Sequence, residues 1–174
     1  PAGTSVEVLV VHAISLPPGE FGWPAIEQLF CNRLDADAHP YFREIADLRV
    51  SAHFLIRRDG EVIQFVPVSR RAWHAGRSSC LGRPRVNDFS VGIELEGTDE
   101  VPFAPVQYKV LAELTRRLVE LFPVINRERV FGHADIAPGR KTDPGPHFDW
   151  AHYRRLAFDG GREKDACKRT DSQV

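Results

Sequence analysis

The run Val6-Glu7-Val8-Leu9-Val10-Val11-His12 is apolar almost throughout and rich in β-branched valine. A strand with one face in water alternates apolar and polar residues, whereas a continuous apolar run reads as a strand covered on both faces, as in α/β proteins. It stops before Leu16-Pro17-Pro18-Gly19, where proline cannot join a ladder. The run therefore predicts a buried central strand that delivers His12 at its end. Phe89–Leu95 is a second such strand; alternation puts Glu94 and Glu96 on one of its faces and Ile93 and Leu95 on the other. Val130-Phe131 reads as the tail of another, from which His133 emerges. If the first and last of these are neighbours, His12 and His133 face each other across the carboxyl edge of one sheet, where open α/β sheets place their sites.

The remaining elements follow from period and punctuation. Val50–Arg57 and Glu61–Val66 flank Arg58-Asp59-Gly60, an antiparallel hairpin signal. Trp23–Leu34 carries Ile26, Leu29, Phe30 and Leu34 on one helical face. Leu34 to Asp47 is a long connection of the kind that is often functional or mobile. Pro105–Phe122 is the clearest helix, with an apolar stripe of Val106, Val110, Leu111, Leu114, Leu118, Leu121 and Phe122, and Pro123 ends it. A short helix is predicted around Trp150–Leu156. The expected fold is a single α/β (α+β) domain over residues 6–157, with a central mixed β-sheet packed by helices. Residues 158–174 form a polar tail expected to be disordered.

Composition narrows the function. The chain has 174 residues, enough to bury about 70% of the surface its unfolded form exposes. A net charge of -1, with no basic cluster interleaved with aromatics, gives no footprint for nucleic acid. No apolar run is long enough for a membrane span, and no signal peptide is present. Cys31, Cys80 and Cys167 are widely spaced and odd in number, so neither a disulfide framework nor a cysteine metal site is signalled, and a reducing compartment fits best. The chain begins at Pro1 without methionine, so an upstream piece is expected to have been removed or left out, and a cleaved signal is compatible with that.

Chemistry concentrates in Gly132-His133-Ala134-Asp135-Ile136-Ala137-Pro138-Gly139-Arg140-Lys141-Thr142-Asp143-Pro144-Gly145-Pro146, a run whose prolines and glycines read as loop rather than regular structure. Anchored at a strand end, it can fold back to bring His133 and Asp143 to one point, with Lys141 close by. One imidazole and one carboxylate are two parts of a catalytic metal set, which usually has three protein ligands and an open position; His12 is the third. No G-x-S-x-G, H-E-x-x-H, G-x-x-x-x-G-K-[ST] or G-x-G-x-x-G is present, so serine-hydrolase and nucleotide readings lose support. A metal on His12, His133 and Asp143 would acidify water, Glu94 could shuttle its proton to a leaving nitrogen, and Lys141 could steady a carbonyl oxygen that becomes anionic. Those parts make an amide hydrolase.

Four stretches carry a family resemblance. They are Val10 to Gly19, Arg71-Ala72-Trp73-His74-Ala75-Gly76, Asn87 to Asp99, and Gly132-His133 to Pro144. They resemble the zinc N-acetylmuramoyl-L-alanine amidases (the amidase-2, or peptidoglycan-recognition-protein-like, family) in the same order and with similar spacing from about Val6 to Leu156, and most closely the AmpD branch, which recycles cell-wall fragments. The resemblance implies a Zn2+ ion held by His12, His133 and Asp143, with Glu94 and Lys141 as the catalytic pair. It also implies hydrolysis of the amide between the lactyl group of N-acetylmuramic acid and L-alanine, with 1,6-anhydro-muropeptides as the preferred substrate in the cytoplasm. One position departs from the branch: Ala13 stands where asparagine is usual, so an amide that could hydrogen-bond substrate is missing. The usual segment before the first strand is also missing, which reads as truncation.

Several residues keep two readings. Glu96 shares the face of Glu94 and competes with it as base until the resemblance decides for Glu94. Trp73 is either an apolar wall for substrate or core, and His74 beside it is equally open. Arg49, Arg85 and Asn87 are candidates for gripping peptide carboxylates or sugar oxygens, against solvated loop residues. His53 reads as a satisfied core histidine, and His39, His147 and His152 as surface or turn residues. Asp135 and Arg140 read as stabilisers of the site loop. The competing functions are a peptidoglycan-recognition module that has lost its metal, and a periplasmic amidase acting on intact peptidoglycan.

Overall fold

A computed structural model describes residues 5–160 of the chain. In chain order its strands are β1 (Val8–Ile14), β2 (Phe54–Ile56), β3 (Val62–Gln64), β4 (Ser79–Cys80), β5 (Arg83–Pro84), β6 (Ser90–Glu96) and β7 (Val130–Gly132). Its α-helices are α1 (Ala25–Phe30), α2 (Phe42–Ile45), α3 (Pro105–Leu121), α4 (His133–Ile136) and α5 (Trp150–Arg154). The main sheet has the order β3-β2-β6-β1-β7, and β4 and β5 form a small separate hairpin. β1 runs parallel to both β6 and β7, β2 parallel to β6, and only β3 is antiparallel, which makes the sheet mixed.

Every residue of β6 and the first five of β1 are buried, so both predicted central strands are covered on both faces. Their side chains divide with period two. Leu9, Val11, Val91, Ile93 and Leu95 pack in the largest core cluster, with Tyr108, Leu111 and Leu118 of α3 and Tyr153 of α5. Val8 and Val10 point the other way, into a cluster with Ala75, Val86, Phe89 and Ile136. A third cluster joins Leu16, Leu29, Phe30, Phe42, Ile45 and Leu55. Phe42 and Ile45 thus anchor the connection after Leu34, which is not structureless but carries the one-turn α2.

The structure departs from the sequence expectations at particular points. The stripe of α3 is rotated: Val106 and Leu121 are exposed, while Gln107 and Thr115 are fully buried. Both polar side chains are satisfied there. The Gln107 amide donates to the carbonyls of Ile56 and Glu96, tying the helix to two strands, and Thr115 bonds the Leu111 carbonyl and the Tyr153 hydroxyl. β2 is shorter than the predicted Val50–Arg57 because the Ser51 N–H turns to the Trp73 carbonyl. The loop expected after Gly132 opens with α4, whose first turn is secured by the Asp135 carboxylate accepting from the Gly132 N–H. A π-helical turn continues the last helix through Asp159, past the expected boundary, with Phe158 packed on the main core. The expected tail from residue 161 onward, including Cys167, lies outside the described residues.

Candidate active site

The β1–β6 register pairs His12 with Glu94, and β7 lies on the other side of β1 with His133 immediately after its last residue. His12 extends the face of Val8 and Val10, and Glu94 extends that of Ser90 and Gly92, so all the site strands aim these groups at one edge. The loop after α4 is drawn back by the Ala134 N–H donating to the Asp143 carbonyl. As a result His12 Nδ1 and His133 Nδ1 are 2.9 Å apart, and each is 3.1 Å from Asp143 Oδ2.

These three atoms form a donor set suited to a metal ion. His133 Nε2 faces the Ala75 carbonyl at 3.2 Å, so its N–H is on that side and bare Nδ1 points inward. Two imidazoles and a carboxylate, with one side open to a cleft, match the ligand number and chemistry of a catalytic site. Burial lowers the pKa of His12 to about 4, with Asp143 opposing, so the ring is neutral at pH 7 as a ligand must be. Burial alone would raise the Asp143 pKa, but the neighbouring His12 and His133 rings outweigh it and hold the carboxyl well below the usual range.

Glu94 is buried, and its Oε2 has no hydrogen-bond partner among the described residues. Desolvation, with Asp143 adding to it and Lys141 opposing, raises its pKa well above that of an ordinary carboxyl. Glu96, on the same face, is fully engaged: Oε1 accepts from Arg57 and the Gly22 N–H, and Oε2 from the Arg58 N–H. Alternation could not separate the two carboxylates, but Arg57 does.

Glu94, His133, Lys141 and Asp143 line a cleft of about 340 Å³ whose other wall is apolar, built by Leu29, Phe30, Tyr41, Ile45 and Val50. Trp73, 54% exposed, stands at its rim, shared with a second hollow lined by Arg49, Asn87, Arg140 and Lys141. Ala13 also lines the cleft, at the point where it packs against the main core.

Not every predicted site residue is free to meet a substrate in the cleft. Asn87 is buried, and its side-chain oxygen accepts from the N–H groups of His74 and Ala75, which holds the loop beneath the site rather than offering an amide to substrate. Arg85 lines neither hollow; its exposed guanidinium pairs with Asp88. Asn87→Ala is therefore expected to cost about 1–3 kcal/mol by orphaning two amides, whereas Arg85→Ala should stay within about 0.5 kcal/mol. Urea unfolding of both variants checks this, and equal losses would contradict it. Arg140 donates to the carbonyls of Ala75 and Arg77 and thus braces the loop.

Two further histidines lie under the site. His53 is fully buried, accepting from the Gly92 N–H at Nδ1 and meeting the Arg70 carbonyl at Nε2. His74 is the residue whose role the sequence left open, and its Nδ1 is 2.9 Å from His12 Nε2. Burial lowers the pKa of His53, and burial with its neighbours His12, His53 and His133 lowers that of His74 well below normal. Stripped of metal, the protein is expected to lose stability as pH falls from 6.5 toward 4. In that window the unfolded chain protonates His12 and the folded chain does not, and the lowered pKa values of His53 and His74 act in the same direction, so the unfolded state binds more protons and stability rises with pH. His12 alone contributes on the order of 3 kcal/mol. A thermal midpoint unchanged across that range after chelation would contradict this.

A family model described as N-acetylmuramoyl-L-alanine amidase matches residues 2–146. The chain belongs to this amidase family. Among its relatives is the 1,6-anhydro-N-acetylmuramyl-L-alanine amidase AmpD of Escherichia coli (strain K12), 61% identical over 149 residues that span 86% of this chain and 81% of the relative. This places the amidase in the AmpD branch. A crystal structure of a Se-Met AmpD derivative superposes with a TM-score of 0.85 at 59% identity, covering 87% of this chain and 84% of that one. The amidase AmiD from E. coli, in complex with anhydro-N-acetylmuramic acid-L-Ala-D-gamma-Glu-L-Lys, superposes with a TM-score of 0.64 at 31% identity, covering 91% of this chain and 60% of that one. Among the described residues of the amidase, no helix is long and apolar enough to cross a membrane.

Proposed function

We propose that this amidase hydrolyses the bond between the lactyl carbonyl of N-acetylmuramic acid and the amino group of L-alanine in 1,6-anhydro-muropeptides, as a cytoplasmic step of cell-wall recycling, with zinc on His12, His133 and Asp143. The observation that carries this reading is a buried carboxylate, Glu94, with an unpartnered oxygen in the same cleft as the His–His–Asp cluster. The AmpD relative's name supports the substrate. An exposed free thiol at Cys31 suits a reducing compartment.

Zinc, when bound, supplies a Lewis acid and lowers the pKa of water toward about 7. Glu94 accepts the proton of the attacking water as the new C–O bond forms, and its raised pKa lets it give that proton to the alanine nitrogen as the C–N bond breaks. Lys141 neutralises the charge that builds on the carbonyl oxygen. In this reading the apolar wall and Trp73, which line the cleft, would meet the sugar, and Arg49, which lines the adjoining hollow, a peptide carboxylate.

The test compares a soluble 1,6-anhydro-muropeptide with intact sacculi as substrates, following release of free stem peptide. Preferential cleavage of the fragment is expected. Preference for sacculi would favour the periplasmic reading, and binding without cleavage would favour a recognition module.

A further inference from the structure

We propose that His74 is a positioning residue that fixes which nitrogen of His12 faces the metal, and that Ser90 sets the direction of the hydrogen-bond chain through which it acts. This rests on the zinc reading above. The chain runs from the Val86 carbonyl to Ser90 Oγ at 2.7 Å, on to His74 Nε2 at 3.0 Å, and from His74 Nδ1 to His12 Nε2 at 2.9 Å.

A carbonyl only accepts, so the single hydroxyl hydrogen of Ser90 is spent on Val86 and its lone pairs are left for His74. The N–H of His74 therefore lies at Nε2. A neutral imidazole has one N–H, so His74 Nδ1 is an acceptor, and what it accepts is the N–H of His12 at Nε2. His12 Nδ1 is left bare, facing His133 Nδ1 and Asp143 Oδ2. With the opposite polarity, Ser90 donating to His74, the proton of His12 would sit at Nδ1 against the Asp143 carboxylate and occupy the direction a metal needs.

The surroundings hold His74 in this pose. Its backbone N–H donates to the Asn87 side-chain oxygen, and its ring lies over Gly92, where a Cβ would come within 2.4 Å of His74 Cγ. Any side chain at position 92 would push the ring off His12. Gly92 lies on the central strand β6, two residues from Ser90 and two from Glu94, so one short stretch of backbone places the base and the support of a ligand together.

The test measures zinc affinity by chelator competition in wild type, His74→Leu, His74→Asn and Ser90→Ala, with long-range 1H–15N correlation spectra of the zinc-loaded protein. His74→Leu should weaken zinc binding about 10–100-fold. His74→Asn, whose amide oxygen can stand in for Nδ1 as acceptor, should return to within about threefold of wild type. Ser90→Ala removes the polarity of the chain without touching either ring and should fall between them. The spectra should show His12 protonated at Nε2 and liganded through Nδ1. Zinc affinity of folded His74→Leu equal to wild type, an Asn variant as weak as Leu, or zinc on His12 Nε2 would overturn the proposal while leaving the zinc reading intact. Absence of zinc affinity in wild type would overturn both.

Discussion

The His133→Ala protein is expected to purify with under roughly a tenth of the wild-type metal and with peptide release indistinguishable from background. Asp143 and His12 would remain, but the third donor, preoriented by the Ala75 carbonyl, would be gone. Each histidine of the set would do more than add a bond. The inward nitrogen of each imidazole is kept bare by a partner on the far side of the ring, so an ion from solution would meet three converging donors at little further ordering cost. Removing His133 also deletes one hydrogen bond at the start of α4, worth about 1 kcal/mol, which the fold can absorb. Metal analysis alongside circular dichroism separates loss of the ion from loss of the fold. A folded His133→Ala protein with full metal content would exclude His133 as a ligand.

Glu94→Gln is expected to do the reverse, keeping the metal and losing about 10²–10⁴-fold in turnover. The amide matches the carboxylate in shape but cannot take up a proton. Because the native carboxyl is buried with an unpartnered oxygen, replacing it with a neutral amide should leave stability unchanged or raise it. The paired signature, lower turnover with an equal or higher thermal midpoint, distinguishes a group retained for chemistry from one retained for structure. A large loss of stability in Glu94→Gln would place Glu94 among the structural residues. Glu96→Gln is the matched control, since it breaks the buried contact with Arg57 and is expected to destabilise.

Much of this was legible in the sequence because the site residues sit on strands whose burial is written in their apolar runs. Val6–His12 and Phe89–Leu95 gave the two central strands, and the observed elements are displaced from them by only one or two residues. His12, Glu94 and His133 then followed from which strands adjoin. What escaped were features set by satisfied polar groups. The face of α3 was misjudged because the stripe was drawn through apolar residues alone, and only the strand carbonyls and the Tyr153 hydroxyl explain the burial of Gln107 and Thr115. The resemblance chose Glu94 over Glu96, but the physical difference between them is the contact of Glu96 with Arg57, which is remote in sequence from both. His74 lies in a loop with no periodicity, and the one hint at position 92, a glycine within a strand, marks close approach without saying of what. Arg85 and Asn87 were drawn in by residue type alone; the first lines neither hollow and pairs with Asp88, and two backbone amides claim the oxygen of the second.

The most direct measurement takes one preparation through metal analysis and assay on a 1,6-anhydro-muropeptide, before chelation, after it, and after zinc is restored. About one zinc per chain is expected, with peptide release lost on chelation and recovered with zinc. Undiminished peptide release from protein shown to be free of metal would contradict a zinc amidase built on His12, His133 and Asp143.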